Sequence, residues 1–248
     1  MRILVTNDDG VDSESVAPLL SGLKSLDAEV VVAVPDGDVS GCGAWLGAPP
    51  ASSPVRIRNL DDEPSIWAVA GTPGYIVSAA CLGAFGAPPD LVVSGVNFGA
   101  NTGRHILYSG TVGAALVAAQ FGIPAVAVSQ IRGALWRVYS GVRVAIEAAA
   151  LLGEERRPQV LNVNVPNLEL GDINGVRPAA LAPFRVMSIN HGDGTIQRDH
   201  PATPPPESDE AQLEDRYVTV TRLAGYRAVG DCSTLSKELS ARLSLRAT

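Results

Sequence analysis

The first residues in this chain that could do chemistry are Asn7-Asp8-Asp9-Gly10. Two adjacent carboxylates repel each other unless something positive lies between or beside them. A hard divalent cation such as Mg²⁺ or Mn²⁺, which prefers carboxylate oxygens, would meet that need. The plainer alternative is a solvated turn bearing two surface acids. Ser40 stands beyond a second apolar run and can lie beside this turn. Asn97 follows a later run and offers a neutral oxygen, which completes a carboxylate metal site without adding charge. Residues 94–103 hold three glycines and two asparagines, and a loop of that composition can wrap an anion with backbone N–H groups. Ser109, Gly110 and Thr111 would then present a helix N-terminus and their hydroxyls to a phosphate. The bland reading of the same stretch is a glycine-rich connection with capping residues. Thr72 divides likewise between a helix cap and a helix start that faces the ligand.

The elements around these residues define the fold class. Ile3-Leu-Val5 is a short apolar run suited to a strand buried on both faces, and the polar cluster ends it. Apolar positions Val16, Leu19, Leu20, Leu23 and Leu26 form one face of a helix capped by Ser13 or Ser15, with Pro18 in its first turn. Strands are expected at 30–34, 91–93, 125–129 and 160–165, with short strands at 55–57 and 66–69 around a hairpin. Helices are expected from Thr72-Pro73 to about 82, at 113–121 and at 136–152. The alternation implies an α/β, three-layer, doubly wound, mostly parallel sheet of Rossmann-like form. In such sheets ligands bind at the C-terminal ends of the strands. After about residue 175 the texture changes, to short strands at 175–178 and 184–189. A proline-rich segment at 192–207, an alternating strand at 217–221 and an amphipathic helix at 235–245 follow. The expected organisation is a catalytic core at 1–174 and an extension at 175–248 that completes the same domain and serves subunit contacts.

Composition excludes several function classes. The formal charge of -7 leaves no basic footprint for a nucleic-acid polymer. No apolar run reaches membrane-spanning length, and Met1 leads straight into strand residues, so no signal peptide is expected. Cys42, Cys81 and Cys232 are odd in number and widely spaced, which fits neither a disulfide framework nor a zinc pattern and points to a reducing cytoplasm. His105, His191 and His200 are isolated, and no Gly-x-Ser-x-Gly elbow occurs. Gly41, Gly43 and Gly47 faintly echo a dinucleotide fingerprint, but they follow the second strand and open no helix.

Taken together, Val5-Thr-Asn-Asp-Asp-Gly10, Val34-Pro-Asp…Ser40-Gly41, Gly71-Thr-Pro73, Val93-Ser-Gly-Val-Asn97, Gly99-Ala-Asn101, Leu107-Tyr-Ser-Gly-Thr-Val112 and Leu161-Asn-Val-Asn-Val-Pro166 resemble the SurE family. These are the stationary-phase survival proteins, metal-dependent 5'/3'-nucleotidases, and Tyr217-Val-Thr-Val-Thr221 resembles the strand after the family's projecting hairpin. The resemblance implies Asp8, Asp9, Ser40 and Asn97 as ligands of one divalent ion per subunit, Mg²⁺ or Mn²⁺. It implies Asn101, Ser109, Gly110 and Thr111 as holders of the phosphoryl oxygens, with Asp8 also orienting the attacking water. The catalytic set is then Asp8, Asn97, Ser109 and Thr111, and the assembly a homodimer or homotetramer built through C-terminal segments. The substrate would be a phosphorylated small molecule, a nucleoside 5'- or 3'-monophosphate or a related ester.

Some positions depart from the family's usual pattern. Cys42-Gly-Ala-Trp-Leu46 stands where a further Ser or His and a Ser/Thr-Leu-Thr-like run are usual, Phe98-Gly99 where Arg-Gly is usual, and Arg104-His105 where an acidic or polar pair is common. Trp45 and Phe98 therefore either stack on a base or simply pack. Two rivals follow: a phosphatase with a covalent aspartyl phosphate, which needs Asp-x-Asp and not adjacent acids, and a metal- and nucleotide-binding protein with shifted specificity or little turnover.

Overall fold

The computed structural model describes residues 1–47, 54–61, 65–155, 157–183, 188–192, 195–199 and 203–224. Its centre is a nine-stranded sheet in the order β3-β4-β2-β1-β5-β6-β7-β11-β8. The strands are β1 (Arg2–Thr6), β2 (Glu29–Pro35), β3 (Ile57–Asp61), β4 (Ser65–Val69), β5 (Leu91–Phe98), β6 (Ala125–Gln130), β7 (Val160–Val165), β8 (Gly175–Pro178) and β11 (Tyr217–Leu223). From β4 to β7 all neighbours run parallel, whereas β3 on β4 and β11 on β7 are antiparallel. A separate hairpin pairs β9 (Ser188–Gly192) with β10 (Thr195–Asp199).

The runs Ile3-Leu-Val5, Val30–Val34 and Leu91–Val93 are buried on both faces because helices cover both. Alternate residues divide between two cores. Ile3, Val5, Val32 and Val93 meet Leu19 and Leu23 of α1 (Val16–Lys24) and Val142 and Ala145 of α4 (Val138–Glu155). Leu4, Val31, Ala33 and Val92 meet Ile76 and Val77 of α2 (Pro73–Cys81) and Val112 and Ala115 of α3 (Gly110–Gln120). The result is the expected three-layer α/β sheet. β1 pairs with β2 on one side and β5 on the other, so the strand order reverses at β1, the usual ligand position in such sheets.

Several local expectations shift. β5 continues through Ser94–Asn97, so the first half of the glycine-rich stretch is strand and not loop. This is possible because Gly95 has no side chain: a Cβ there would lie 2.2 Å from the Val128 carbonyl oxygen. The pairing with β6 slips between Ser94 and Asn97, an irregularity that redirects the end of β5. α3 begins at Gly110, three residues before the alanine-rich run, because Ser109 caps it by accepting from Val112 N at 3.0 Å. β3 occupies 57–61 where 55–57 was expected, and the antiparallel hairpin with β4 forms. Of the expected strand at 184–189, residues 184–187 lie outside the described residues while Ser188 and Ile189 belong to β9, and β10 interrupts the proline-rich segment. A short helix, α5 (Asp209–Glu214), has no counterpart in the sequence reading. The expected C-terminal helix at 235–245 lies outside the described residues. Within the described residues no helix is long and apolar enough to cross a membrane.

Ile76 is completely buried between α2 and the sheet, whereas Leu82 just past the helix is 77% exposed. Ile76→Ala should cost about 2–5 kcal/mol of unfolding free energy, and Leu82→Ala about 0.5 kcal/mol or less. Urea denaturation of the two variants measures both.

Candidate active site

The Asn7–Gly10 turn is shaped by its own first residue. Asn7 Nδ2 donates to Gly10 O, and Asn7 Oδ1 accepts from Gly10 N, both at 3.0 Å, closing the turn through a side chain. Val39 N then donates to Asp8 O at 2.9 Å, fastening the loop after β2 against the turn after β1. Asp8 is buried, 3% exposed, and meets the start of α3. Thr111 Oγ1 donates to Asp8 Oδ1, and the backbone N–H groups of Gly110 and Thr111 stabilise the same carboxylate. A Cβ on Gly110 would lie 2.7 Å from Asp8 Oδ2 and 2.8 Å from Cys42 Sγ. Close approach of the carboxylate and the thiol thus leaves room only for glycine.

A cavity of about 630 Å³ opens at this point, lined by Asp8, Ser40, Asn97, Asn101, Ser109 and Arg132 among others. Asp9 faces a neighbouring groove, where its Oδ2 accepts from Phe98 N at 3.2 Å. Gly110 and Thr111 are buried and reach the cavity through Asp8. Ser40 is exposed, and both its N and Oγ donate to Asp38 Oδ1, at 2.8 and 2.6 Å. Asn97 commits its amide nitrogen to Gly99 O at 2.6 Å, which leaves its carbonyl oxygen as the atom suited to a cation. Phe98 packs on Trp136 with 5.0 Å between ring centroids. Trp45 is 65% exposed, and its carbonyl accepts from Thr72 Oγ1. Neither of these rings lines the cavity; His105 and Tyr108 do. Thr72 caps α2, accepting from Tyr75 N at 3.3 Å.

Four side chains matter more than their sequence context indicated. Asn164 Oδ1 accepts from Asn101 N at 2.7 Å, and Asn162 and Asn164 both donate to Asn101 O, at 2.9 and 3.0 Å. Ser129 Oγ accepts from Asn101 Nδ2 at 2.7 Å. Asp209, on α5, accepts from Gly103 N at 2.8 Å and Ala182 N at 2.9 Å, which ties the end of the same loop to the C-terminal part of the chain. Asparagines at alternate positions of an otherwise apolar strand were the available signal for Asn162 and Asn164. Asp209 gave none.

Burial dominates the electrostatics. Desolvation raises the Asp8 pKa despite the opposing Thr111 hydroxyl and the backbone donors. Asp9 is pushed up to about 6, first by desolvation and then by repulsion from Asp8; Phe98 N–H and Arg132 oppose the shift, while Asp38 adds to it. The hydrogen bonds from Ser40 lower Asp38. Burial and the neighbouring Asp8 push the Cys42 thiol up to about 11, so it stays protonated at neutral pH. No ion pair is formed by Asp8 or Asp9 among the described residues, nor does any cluster of three or more His, Cys, Asp and Glu occur there. Asp8, Ser40 and Asn97 on the cavity, with the desolvated Asp9 next in sequence, offer oxygen donors, a chemistry that fits Mg²⁺ or Mn²⁺ and not a thiolate- or imidazole-seeking metal.

Fold and geometry together define an α/β protein with a buried carboxylate, Asp8, beside a cavity at the switch point of a mostly parallel sheet. The family described as Survival protein SurE matches residues 3–187, and the chain belongs to that family. The 5'-nucleotidase SurE of Xanthomonas campestris pv. campestris (strain B100) is 41% identical over 179 residues, which are 71% of this chain and 67% of that protein. The 5'-nucleotidase SurE of Xanthomonas oryzae pv. oryzae (strain PXO99A) is similar to the same extent. The crystal structure of the SurE protein from Aquifex aeolicus superposes with a TM-score of 0.80 at 28% identity, covering 97% of this chain and 100% of that one.

Two predictions follow from the geometry. Gly110→Ala puts a better helix former at the start of α3 but displaces the Asp8 carboxylate. Turnover by the variant should fall about 100-fold with little loss of helix content, measured by steady-state kinetics and circular dichroism. The second concerns Asp9 in chelator-treated protein. Its folded pKa lies above the ordinary carboxylate value of 3.8, so its contribution to stability is complete below that pH and is lost as pH rises through about 6. Asp9→Asn should remove part of this loss, about 2 kcal/mol near pH 7.5 and nothing near pH 3.5. Urea titrations of both proteins across that range measure it.

Proposed function

We propose that the chain is a phosphomonoesterase that hydrolyses nucleoside 5'- or 3'-monophosphates, or a related small phosphate ester, to an alcohol and phosphate. The observation that carries this reading is the Asp8 carboxylate, desolvated at the end of β1 and set against the N-terminus of α3. It occurs in a family whose curated relatives are named 5'-nucleotidase. Asp8, Asp9, Ser40 and Asn97 are the residues that would hold one divalent cation, Mg²⁺ or Mn²⁺. When bound, that ion would offset charge on the phosphoryl oxygens. Asn101 and Ser109, which line the cavity, would contact the phosphoryl group, while Gly110 and Thr111, whose N–H groups and hydroxyl are directed at Asp8, would keep it in register through that carboxylate. Asp8 accepts a hydrogen bond from the water that attacks phosphorus opposite the leaving oxygen, while Asn97, Ser109 and Thr111 keep Asp8 and the phosphate in register. We read 1–174 as the catalytic core and 175–248 as the extension that makes subunit contacts in a homodimer or homotetramer. A cytoplasmic setting suits the free thiols Cys42 and Cys81.

The test is phosphate release from a panel of nucleotides and sugar phosphates with Mn²⁺, Mg²⁺ or EDTA. Release should be greatest from nucleoside monophosphates and abolished by EDTA. Asp8→Asn should lower it on the order of 10³-fold without loss of thermal stability. In addition, Mn²⁺ should raise the melting temperature of the wild type but not of Asp8→Asn. Release that survives EDTA, or wild-type turnover in Asp8→Asn, would overturn the reading.

A further inference from the structure

Arg132 lies two residues beyond the end of β6 and lines the Asp8 cavity. Among the described lining residues it is the only one that is permanently cationic. Its guanidinium is held at one edge. Nε donates to Phe98 O at 2.8 Å, and the guanidinium carbon stands 5.5 Å from the centroid of the Phe98 ring. That ring is itself buttressed by Trp136. Gly99 lets the arm pass close, since a Cβ there would be 3.0 Å from Arg132 Nε. Both terminal nitrogens remain without a protein acceptor among the described residues, while the positive charge stabilises the ionised forms of Asp9 and Asp38.

An exposed arginine ordinarily spends rotamer freedom when it binds an anion. Here one edge is already tied to the Phe98 carbonyl and one face to an aromatic ring, so the remaining N–H fork is restricted before any ligand arrives. That fork matches two oxygens of a phosphate, a geometry that a lysine ammonium does not reproduce. The need is local: Asp8, Asp9 and Asp38 would each repel an incoming dianion. We propose that Arg132 is a substrate-binding residue whose terminal N–H groups take the phosphate oxygens of the ester within the Asp8 cavity. The inference rests on the reading of that cavity as a phosphate-ester site.

The experiment is calorimetric titration of the full chain, loaded with Mn²⁺, using inorganic phosphate and, separately, an uncharged nucleoside. KM is determined in parallel. Arg132→Gln should weaken phosphate binding by about 10- to 100-fold and raise KM correspondingly, with nucleoside affinity changed less than twofold. Arg132→Lys should recover only part of the loss, because charge returns without the fork. Phosphate affinity within twofold of wild type in Arg132→Gln would overturn the inference. So would an equal loss of nucleoside affinity, which would mean that Arg132 only shapes the wall through Phe98. If the wild type hydrolyses its ester and binds phosphate while Arg132→Gln does so equally well, this inference alone fails. If the wild type does neither, the site reading fails and takes this inference with it.

Discussion

A carboxylate withdrawn from water at the end of the first strand is the constraint on which the rest of the site depends. Burial of an ionised group costs several kcal/mol even after the protein relaxes around it. A hydrogen bond to a charged group returns about 1.5–3 kcal/mol, and a helix N-terminus about 0.3–2 kcal/mol. Asp8 receives both, from Thr111 and from the first turn of α3. Its pKa is nevertheless raised, so desolvation outweighs those donors. The remainder has to come from a proton or an external cation, and Asp9 next to it carries a deficit of its own, from desolvation and then from repulsion by Asp8. The same requirement explains the lack of a side chain at Gly110, the complete burial of Thr111 and the protonated state of the Cys42 thiol that closes the other side.

Positioning is spread across the sheet. Strands β1, β2 and β5 each end in a segment that delivers one group, Asp8, Ser40 or Asn97, and β6 and β7 supply none of those but brace what lies opposite. Asn162, Asn164 and Ser129 each direct a side-chain hydrogen bond at Asn101. Buried amides paired in this way are worth their desolvation only if the loop they hold must not move. Asp209 extends the arrangement, since its carboxylate bridges the loop at Gly103 to Ala182. A short helix after residue 175 is therefore part of what fixes the cavity.

The sequence showed the site where physics acts locally. Asn7 to Gly10 breaks an apolar run with turn formers, and Thr72-Pro73 and Ser109 announce helix starts; each behaves in the structure as its type predicts. Illegible features depend on contacts between distant segments. β5 runs on to Phe98 because Gly95 lets the backbone approach Val128, and a glycine in sequence looks the same in a loop as in a crowded strand. The groove taken by Asp9 and the bracing by Asp209 rest on bonds between residues that lie 89 and 106 positions apart. Phe98 and Trp45 were equally ambiguous as aromatic residues, and only the placement of Trp136 and Arg132 shows Phe98 as packing.

An acidic protein with an acidic cavity still has to admit an anion, and the scale of screening explains how. With a Debye length of about 8 Å at physiological salt, the overall charge of -7 is felt weakly by a small ester until it reaches the mouth. There the groups lining the cavity decide, among them the hydroxyls of Ser40 and Ser109 and, as the one permanently cationic side chain among the described lining residues, Arg132 resting on Phe98.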